Sequence, residues 1–251
     1  MQSMQLMLSV ESEVAVRVRA WRVEDARWCI ILCHGLPSGE ERSERDRGYA
    51  ELAELLAERG YSAVAITFRG VGESSGFFSF EGWCRDLQAV AEWASLEFQL
   101  PLVVWGFSMG AAVAAKVSPK LSNVKGVILA ACPAHFNWID VETFKAATSR
   151  AASSQVLKVD YSRAREVVEE LHSSPPLKYV SRISPRPLLI LHGQCDQLIP
   201  VSHAHALYRS AKPPKELKII PCAPHKLRLS HQAVHEALKW LDKRFPTASS
   251  L

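Results

Sequence analysis

Three residues far apart in the chain, Ser108, Asp196 and His225, have the types and surroundings needed for nucleophilic catalysis. Ser108 lies in Gly106-Phe107-Ser108-Met109-Gly110, directly after the apolar run Leu102-Val103-Val104-Trp105. A strand that turns sharply into a helix holds its corner serine at a strained backbone angle, and Gly106 and Gly110 leave room for that corner. The small residues Ala111-Ala112-Val113-Ala114-Ala115 that follow let a helix pack closely beneath the serine. A serine hydroxyl is a poor nucleophile until a base takes its proton, and an imidazole does this best when a carboxylate fixes its tautomer. An acid and a histidine are therefore expected later in the chain, on loops at the same sheet edge. His192-Gly193-Gln194-Cys195-Asp196 follows a buried strand and offers Asp196, and Pro221-Cys222-Ala223-Pro224-His225 follows the last strand and offers His225.

The elements that must position these residues are legible from periodicity. Gln5 to Val10 and Val14 to Ala20 alternate as an antiparallel pair, and Trp28-Cys29-Ile30-Ile31-Leu32-Cys33 is a continuous apolar run, as expected of a strand covered on both faces. Tyr49, Leu52, Ala53 and Leu56 share a helix face that Gly60 stops. Ser62 to Phe68 reads as a strand, Phe80 to Leu96 as a helix and Val124 to Ala131 as a strand. After a gap come strand Pro187 to Leu191, helix Val201 to Ala211, strand Glu216 to Ile220 and a helix from Leu227 to Phe245 with Val234, Leu238, Leu241 and Phe245 inward. This alternation predicts an α/β fold with a mostly parallel central sheet flanked by helices. At 251 residues the chain suits one domain.

The alternation lapses over 133–185. Helical pieces at Val141 to Ala152 and Ser162 to Leu171 are broken by Ser173-Ser174-Pro175-Pro176, and some fifty residues without a strand read as a small helical cap inserted over the sheet's carboxyl edge. Two readings stand for its apolar residues Phe136, Trp138, Ile139 and Phe144: the lining of an apolar acyl or alcohol pocket, or the cap's own core.

Composition narrows the function classes. A hydrophobic fraction of 48% and a charged fraction of 22% are ordinary for a globular chain, and the net charge of +4 is spread among acids, as in Glu40 to Arg47, which reads as a solvated loop or helix start. Nucleic-acid binding is disfavoured. No apolar run approaches the roughly 18 residues of a membrane span, and a cytoplasmic protein is expected. The six cysteines form no Cys-x-x-Cys pair, so no metal site is expected. Thr247 to Leu251 reads as a frayed tail.

Taken together, His34-Gly35, Arg69-Gly70-Val71-Gly72-Glu73-Ser74, Gly106-Phe107-Ser108-Met109-Gly110, Asp196 and His225 resemble an α/β-hydrolase fold enzyme of the serine esterase, acylglycerol lipase and aminopeptidase-like group, over nearly the whole chain. The resemblance implies Ser108 as nucleophile, His225 as base and Asp196 as its orienting acid, with Pro224-His225 standing where the family often has Gly-His. The oxyanion of acyl transfer needs donors already aimed at it, each worth about 2.7–4 kcal/mol. Met109 supplies one backbone N–H, and Leu36 is similar in position to the family's second donor. The implied activity is ester hydrolysis through an acyl-enzyme, with a small-molecule acyl ester as substrate and no cofactor. Thioesterase and aminopeptidase chemistry use the same residues, Asp140 or Glu142 being the cap carboxylate an aminopeptidase would want, and a non-catalytic binding protein is the reading from another class. Asp140 and Glu142 are also the rival acids to Asp196. His231 and His235 are expected on the surface, His34 and His192 in local hydrogen bonds, and Arg69, Asp86 and Glu73 in structural roles. Cys195 precedes the acid and Cys222 lies just upstream of the base, so a disulfide between the two loops is an alternative to the free thiols expected in a reducing cytosol.

Overall fold

The computed structural model describes residues 1–39 and 47–248. Its centre is an eight-stranded sheet in the order β1-β2-β4-β3-β5-β6-β7-β8. The strands are β1 (Gln2–Glu11), β2 (Val14–Arg22), β3 (Cys29–Cys33), β4 (Ser62–Thr67), β5 (Leu102–Phe107), β6 (Val124–Ala130), β7 (Leu188–Gly193) and β8 (Lys215–Ile220). Only β1 and β2 run antiparallel to their neighbours, and from β4 to β8 every pairing is parallel. β3 and β5, both central, are buried at every residue, which is why they read as unbroken apolar runs.

The helices are α1 (Tyr49–Glu58), α2 (Phe80–Phe98), α3 (Met109–Val117), α4 (Val141–Ser153), α5 (Ala164–Ser173), α6 (Ser202–Ser210) and α7 (His231–Arg244). Period-2 alternation splits the core into two layers. Cys29, Ile31 and Cys33 of β3 face α2 and α3, together with Phe144 of α4, Val167 of α5 and Leu207 of α6. Ile30 and Leu32 face α1 and α7 through Leu52, Leu56, Leu238 and Leu241. Parallel strands flanked on both faces place every loop that leaves a strand's carboxyl end on one rim of the sheet. The loops after β3, β5, β7 and β8 therefore meet there.

Several boundaries differ from the sequence reading for physical reasons. The last helix is interrupted, with a 3₁₀ turn at Leu227–Leu229 followed by α7, because Ser230 caps the helix by accepting from the Ala233 N–H at 3.3 Å. Thr247 is buried against Gly60, and Trp28 Nε1 donates to the Pro246 carbonyl at 3.2 Å, so the end of the described chain is packed rather than frayed. Residues 249–251 of that expected tail, and Glu40 to Asp46 of the expected solvated stretch, lie outside the described residues; Arg47 is exposed and paired with Glu54 at 2.6 Å. No helix among the described residues is long and apolar enough to cross a membrane.

Between β6 and β7 the chain builds α4, α5 and short 3₁₀ turns with no strand, and Phe136 and Phe144 are sealed in the core. Phe136 packs edge-on to Phe80 at 5.8 Å and Phe144 stacks on Phe78 at 6.0 Å.

Candidate active site

Ser108 occupies the corner between β5 and α3 with φ 51° and ψ −119°, in the region that L-residues rarely adopt. Neighbouring backbone holds it there. Its N–H donates to the Ala130 carbonyl of β6 at 2.8 Å, and its own carbonyl accepts from the Ala111 and Ala112 N–H groups at 2.9 and 3.1 Å. The corner depends on missing side chains. A Cβ on Gly110 would collide with the His34 and Cys33 carbonyl oxygens, and one on Gly106 would strike the backbone of Gly110 and Ala111.

Asp196 follows β7 and is buried in the loop leading to α6. Its two oxygens are divided. Oδ1 accepts from the Leu198 and Ile199 N–H groups at 2.9 and 2.8 Å, which fixes the carboxylate from its own loop. Oδ2 is left facing His225, whose Nδ1 stands 2.7 Å away. A carboxylate only accepts, so Nδ1 carries the proton and Nε2 presents a lone pair. That Nε2 lies 3.0 Å from Ser108 Oγ, 117 residues away in sequence. Burial pushes the Asp196 pKa up, but hydrogen bonds from His192, His225 and the Ile199 N–H outweigh it and hold the group well below the usual carboxylate range.

Thus Ser108, Asp196 and His225 are brought into one hydrogen-bonded line, and the competing residues are elsewhere. Asp140 caps α4 by accepting from the Thr143 N–H at 2.7 Å, and Glu142 is exposed beside Lys145. His231 and His235 are exposed. His34 accepts from the Phe68 N–H at Nε2 (3.0 Å) and donates from Nδ1 to the Gly35 carbonyl (2.7 Å), tying the loop after β3 to β4. Arg69 and Asp86 form a buried ion pair at 2.8 Å, and Glu73 pairs with Arg17.

The loop after β3 reaches the serine, since a Cβ on Gly35 would lie 2.9 Å from Ser108 Cβ. Leu36 is the next residue and Met109 follows the serine, so both expected donors belong to backbone that adjoins Ser108. Phe136, Trp138, Ile139 and Phe144 differ in burial. Phe136 and Phe144 are buried in the main core against Phe80 and Phe78, which lie outside that segment, whereas Ile139 is half-buried and Trp138 is 40% exposed. The two cysteines that flank the site are free thiols, both exposed.

Two features were not read from the sequence. His192 makes the local hydrogen bond expected of it, Nε2 donating to the Ile199 carbonyl at 2.8 Å, but its approach to 3.4 Å from Asp196 Oδ2, a second support for that carboxylate, was not foreseen. Beside His225 opens a groove of about 840 Å³ walled by Leu198, Pro221, Pro224 and Leu229. Its signal was available as exposed leucines flanking both functional loops, Leu198 at 63% and Leu229 at 51%. No cluster of three or more His, Cys, Asp or Glu side chains suited to a metal ion occurs among the described residues.

Comparison with known proteins agrees with this geometry at the level of fold and family. The family model described as serine aminopeptidase, S33, matches residues 24–186. The human protein ABHD12B is 26% identical over 195 residues, covering 76% of this chain and 51% of its own length. The chain spans about half the length of the curated relatives it matches. Among solved structures, an esterase from Pyrococcus furiosus superposes with a TM-score of 0.72 at 21% identity, covering 96% of this chain and 91% of that one. The α/β hydrolase GrgF from a Penicillium species superposes at 0.75 with 15% identity, covering 97% and 99%. At these identities the superpositions speak for the fold alone.

Proposed function

This chain belongs to the serine aminopeptidase S33 family and has the α/β-hydrolase fold, and from that premise we propose that it hydrolyses carboxylic esters through an acyl-enzyme on Ser108. The observation that carries this reading is the pair of contacts at one imidazole, Nε2 at 3.0 Å from Ser108 Oγ and Nδ1 at 2.7 Å from Asp196 Oδ2. His225 takes the hydroxyl proton as Oγ bonds to the ester carbonyl carbon, and ionised Asp196 stabilises the imidazolium that forms. Backbone N–H groups of Leu36 and Met109 receive the oxyanion. Collapse of the tetrahedral intermediate breaks the bond to the alkoxy oxygen, which leaves with the proton from His225. Water, deprotonated by the same imidazole, then attacks the acyl carbon and releases the acid and free Ser108. No step calls on a metal or organic cofactor.

The substrate reading follows from the groove beside His225. Its lining reaches His225 but not Ser108 and mixes Leu198, Pro221, Pro224 and Leu229 with Gln197, Lys226 and Ser230, which suits the part of a small ester that extends past the base. In this reading the 133–185 segment is a cap, with Phe136 and Phe144 anchoring it on Phe80 and Phe78 and Trp138 and Ile139 left as its candidates for substrate contact. The family's description as an aminopeptidase supports a second reading, amide hydrolysis by the same three residues. A serine-directed fluorophosphonate should label the protein and leave Ser108→Ala unlabelled. A panel of p-nitrophenyl esters of graded chain length, acyl-thioesters and aminoacyl amides then decides the bond: turnover of short esters is expected, and activity confined to amides would replace ester hydrolysis by the second reading.

A further inference from the structure

The six cysteines divide sharply. Cys29, Cys33, Cys84 and Cys132 are buried, and burial pushes the Cys84 thiol up to about 12 and the other three higher still, which makes them poor nucleophiles. Cys195 and Cys222 are exposed and line the same groove beside His225.

Their loops leave adjacent strands. β7 and β8 pair in parallel with a constant offset, from Leu188 opposite Lys215 to Gly193 opposite Ile220. Past Ile220 the ladder gives way to a turn, closed by the Ala223 N–H donating back to the Ile220 carbonyl at 3.3 Å, with Cys222 inside it. The hydrogen bonds just past the strands maintain the approach: the Gln194 N–H donates to the Ile220 carbonyl at 2.9 Å, and the Cys195 N–H donates to the Ala223 carbonyl at 3.1 Å. Cys222 is thereby bracketed between the two acceptors, at a turn where its own φ is 54°. The Cys195–Ala223 hydrogen bond keeps the two loops in backbone contact one residue from Cys222, and a disulfide spans a Cα separation of roughly 4.4–6.8 Å.

We propose that Cys195 and Cys222 form a dithiol modification site that oxidised low-molecular-weight thiols convert to an intramolecular disulfide, slowing hydrolysis at the neighbouring Ser108. The thiolate of one cysteine attacks a sulfur of the small disulfide R–S–S–R and expels R–S⁻, giving a mixed disulfide. The second cysteine attacks the protein sulfur of that bond and expels the second R–S⁻; the two cysteine protons end on the two released thiols. The bond joins the residue before Asp196 to the third residue before His225, drawing together the two walls of the groove and restricting entry to the base. The slowing rests on the proposed roles of His225 and the groove, whereas formation of the bond does not.

The test treats the full-length reduced protein with oxidised glutathione. It follows ester hydrolysis alongside peptide mass mapping without reductant, for wild type, Cys195→Ser and Cys222→Ser, each compared with itself before oxidation. Wild type should yield a Cys195–Cys222 cross-linked peptide and lose activity severalfold, with recovery on adding dithiothreitol, and neither variant should respond. Separate glutathione adducts with no cross-link overturn the site; a cross-link with unchanged hydrolysis, or an equal loss of activity in either variant, overturns the effect on catalysis. A reduced wild type that turns over no ester defeats the ester-hydrolase reading instead, while the mass map still decides whether the two thiols pair.

Discussion

Two carboxylates with side chains fully out of contact with solvent, Asp196 on the rim of the sheet and Asp86 in α2, are treated by the fold in opposite ways. Asp86 accepts from Arg69 three times, from its N–H at 2.8 Å, Nε at 2.9 Å and Nη2 at 2.8 Å. Even so, burial raises its pKa by more than those bonds lower it. Asp196 has no arginine. Its partners are two backbone N–H groups and two imidazoles, and its pKa is held far down. The difference teaches what each pair does. At Asp86 one oxygen is held by the Arg69 backbone N–H and the other by its permanently charged guanidinium, which locks α2 to the strand end before Gly70. At Asp196 one oxygen is fixed by its own loop, which leaves the other for Nδ1 of His225.

The largest effect expected from this contrast is catalytic. Asp196→Asn keeps the size of the side chain but presents an amide to Nδ1, favouring the wrong imidazole tautomer. If Asp196 orients the base, kcat for a short ester should fall by about 10⁴-fold with little change in KM. Steady-state kinetics and an unchanged circular dichroism spectrum check it. A loss below tenfold would break the comparison by making Asp196 another structural carboxylate.

Asp86→Ala should act on stability instead. It leaves the Arg69 guanidinium buried with Glu11 as its remaining acidic partner, at 3.0 Å, and stranding a buried charge costs about 3–5 kcal/mol. Urea denaturation should record that loss, while protein still folded at low temperature should retain kcat near wild type. Replacing both partners together, with Arg69→Met and Asp86→Leu, should recover much of the stability, because desolvation is then no longer incurred.

What could be read beforehand follows the same division between local pattern and long-range packing. β3 and β5 announce themselves because burial on both faces leaves no polar residue to interrupt the run. Ser108 and Asp196 were legible because each stands after a buried strand and His225 because it follows the last strand of the alternation, and parallel strands deliver those loops to one rim. The roles of Phe136 and Phe144 were not, since an aromatic residue in an irregular segment carries no period to say whether it meets Phe80 and Phe78 or solvent. The break at Ser230 was hidden by an apolar pattern that continues across it. The packing of Thr247 on Gly60 joins positions too distant for any local signal.

Acidity separates the two carboxylates again, with opposite sign. The folded pKa of Asp196 lies below that of a free carboxylate, so its contribution to stability is complete above about pH 3.9 and is lost as the pH falls through its folded value. Asp86 is shifted the other way, so the folded state takes up its proton first and gains stability as the pH falls toward about 4. Unfolding free energy measured from pH 6 to pH 3 should therefore decline less steeply below pH 4 in Asp196→Asn than in wild type. In Asp86→Asn it should lack the gain that wild type shows above pH 4. Parallel curves for the two variants would mean that their surroundings do not differ as the hydrogen bonds indicate.

The smallest effect isolates burial from bond geometry. Glu166 pairs with Arg163 as Asp86 pairs with Arg69, accepting from Nη2 at 2.5 Å and Nε at 2.8 Å, and those bonds lower its pKa. Both side chains are more than half exposed, so water and salt screen the pair and solvate either partner when the other is removed. Glu166→Gln should leave the thermal unfolding midpoint superimposable on wild type at moderate ionic strength. A loss comparable to that of Asp86→Ala would show that the guanidinium–carboxylate contact itself, and not its removal from water, sets the energy at Asp86, and the distinction drawn between the two buried carboxylates would then have to rest on charge alone.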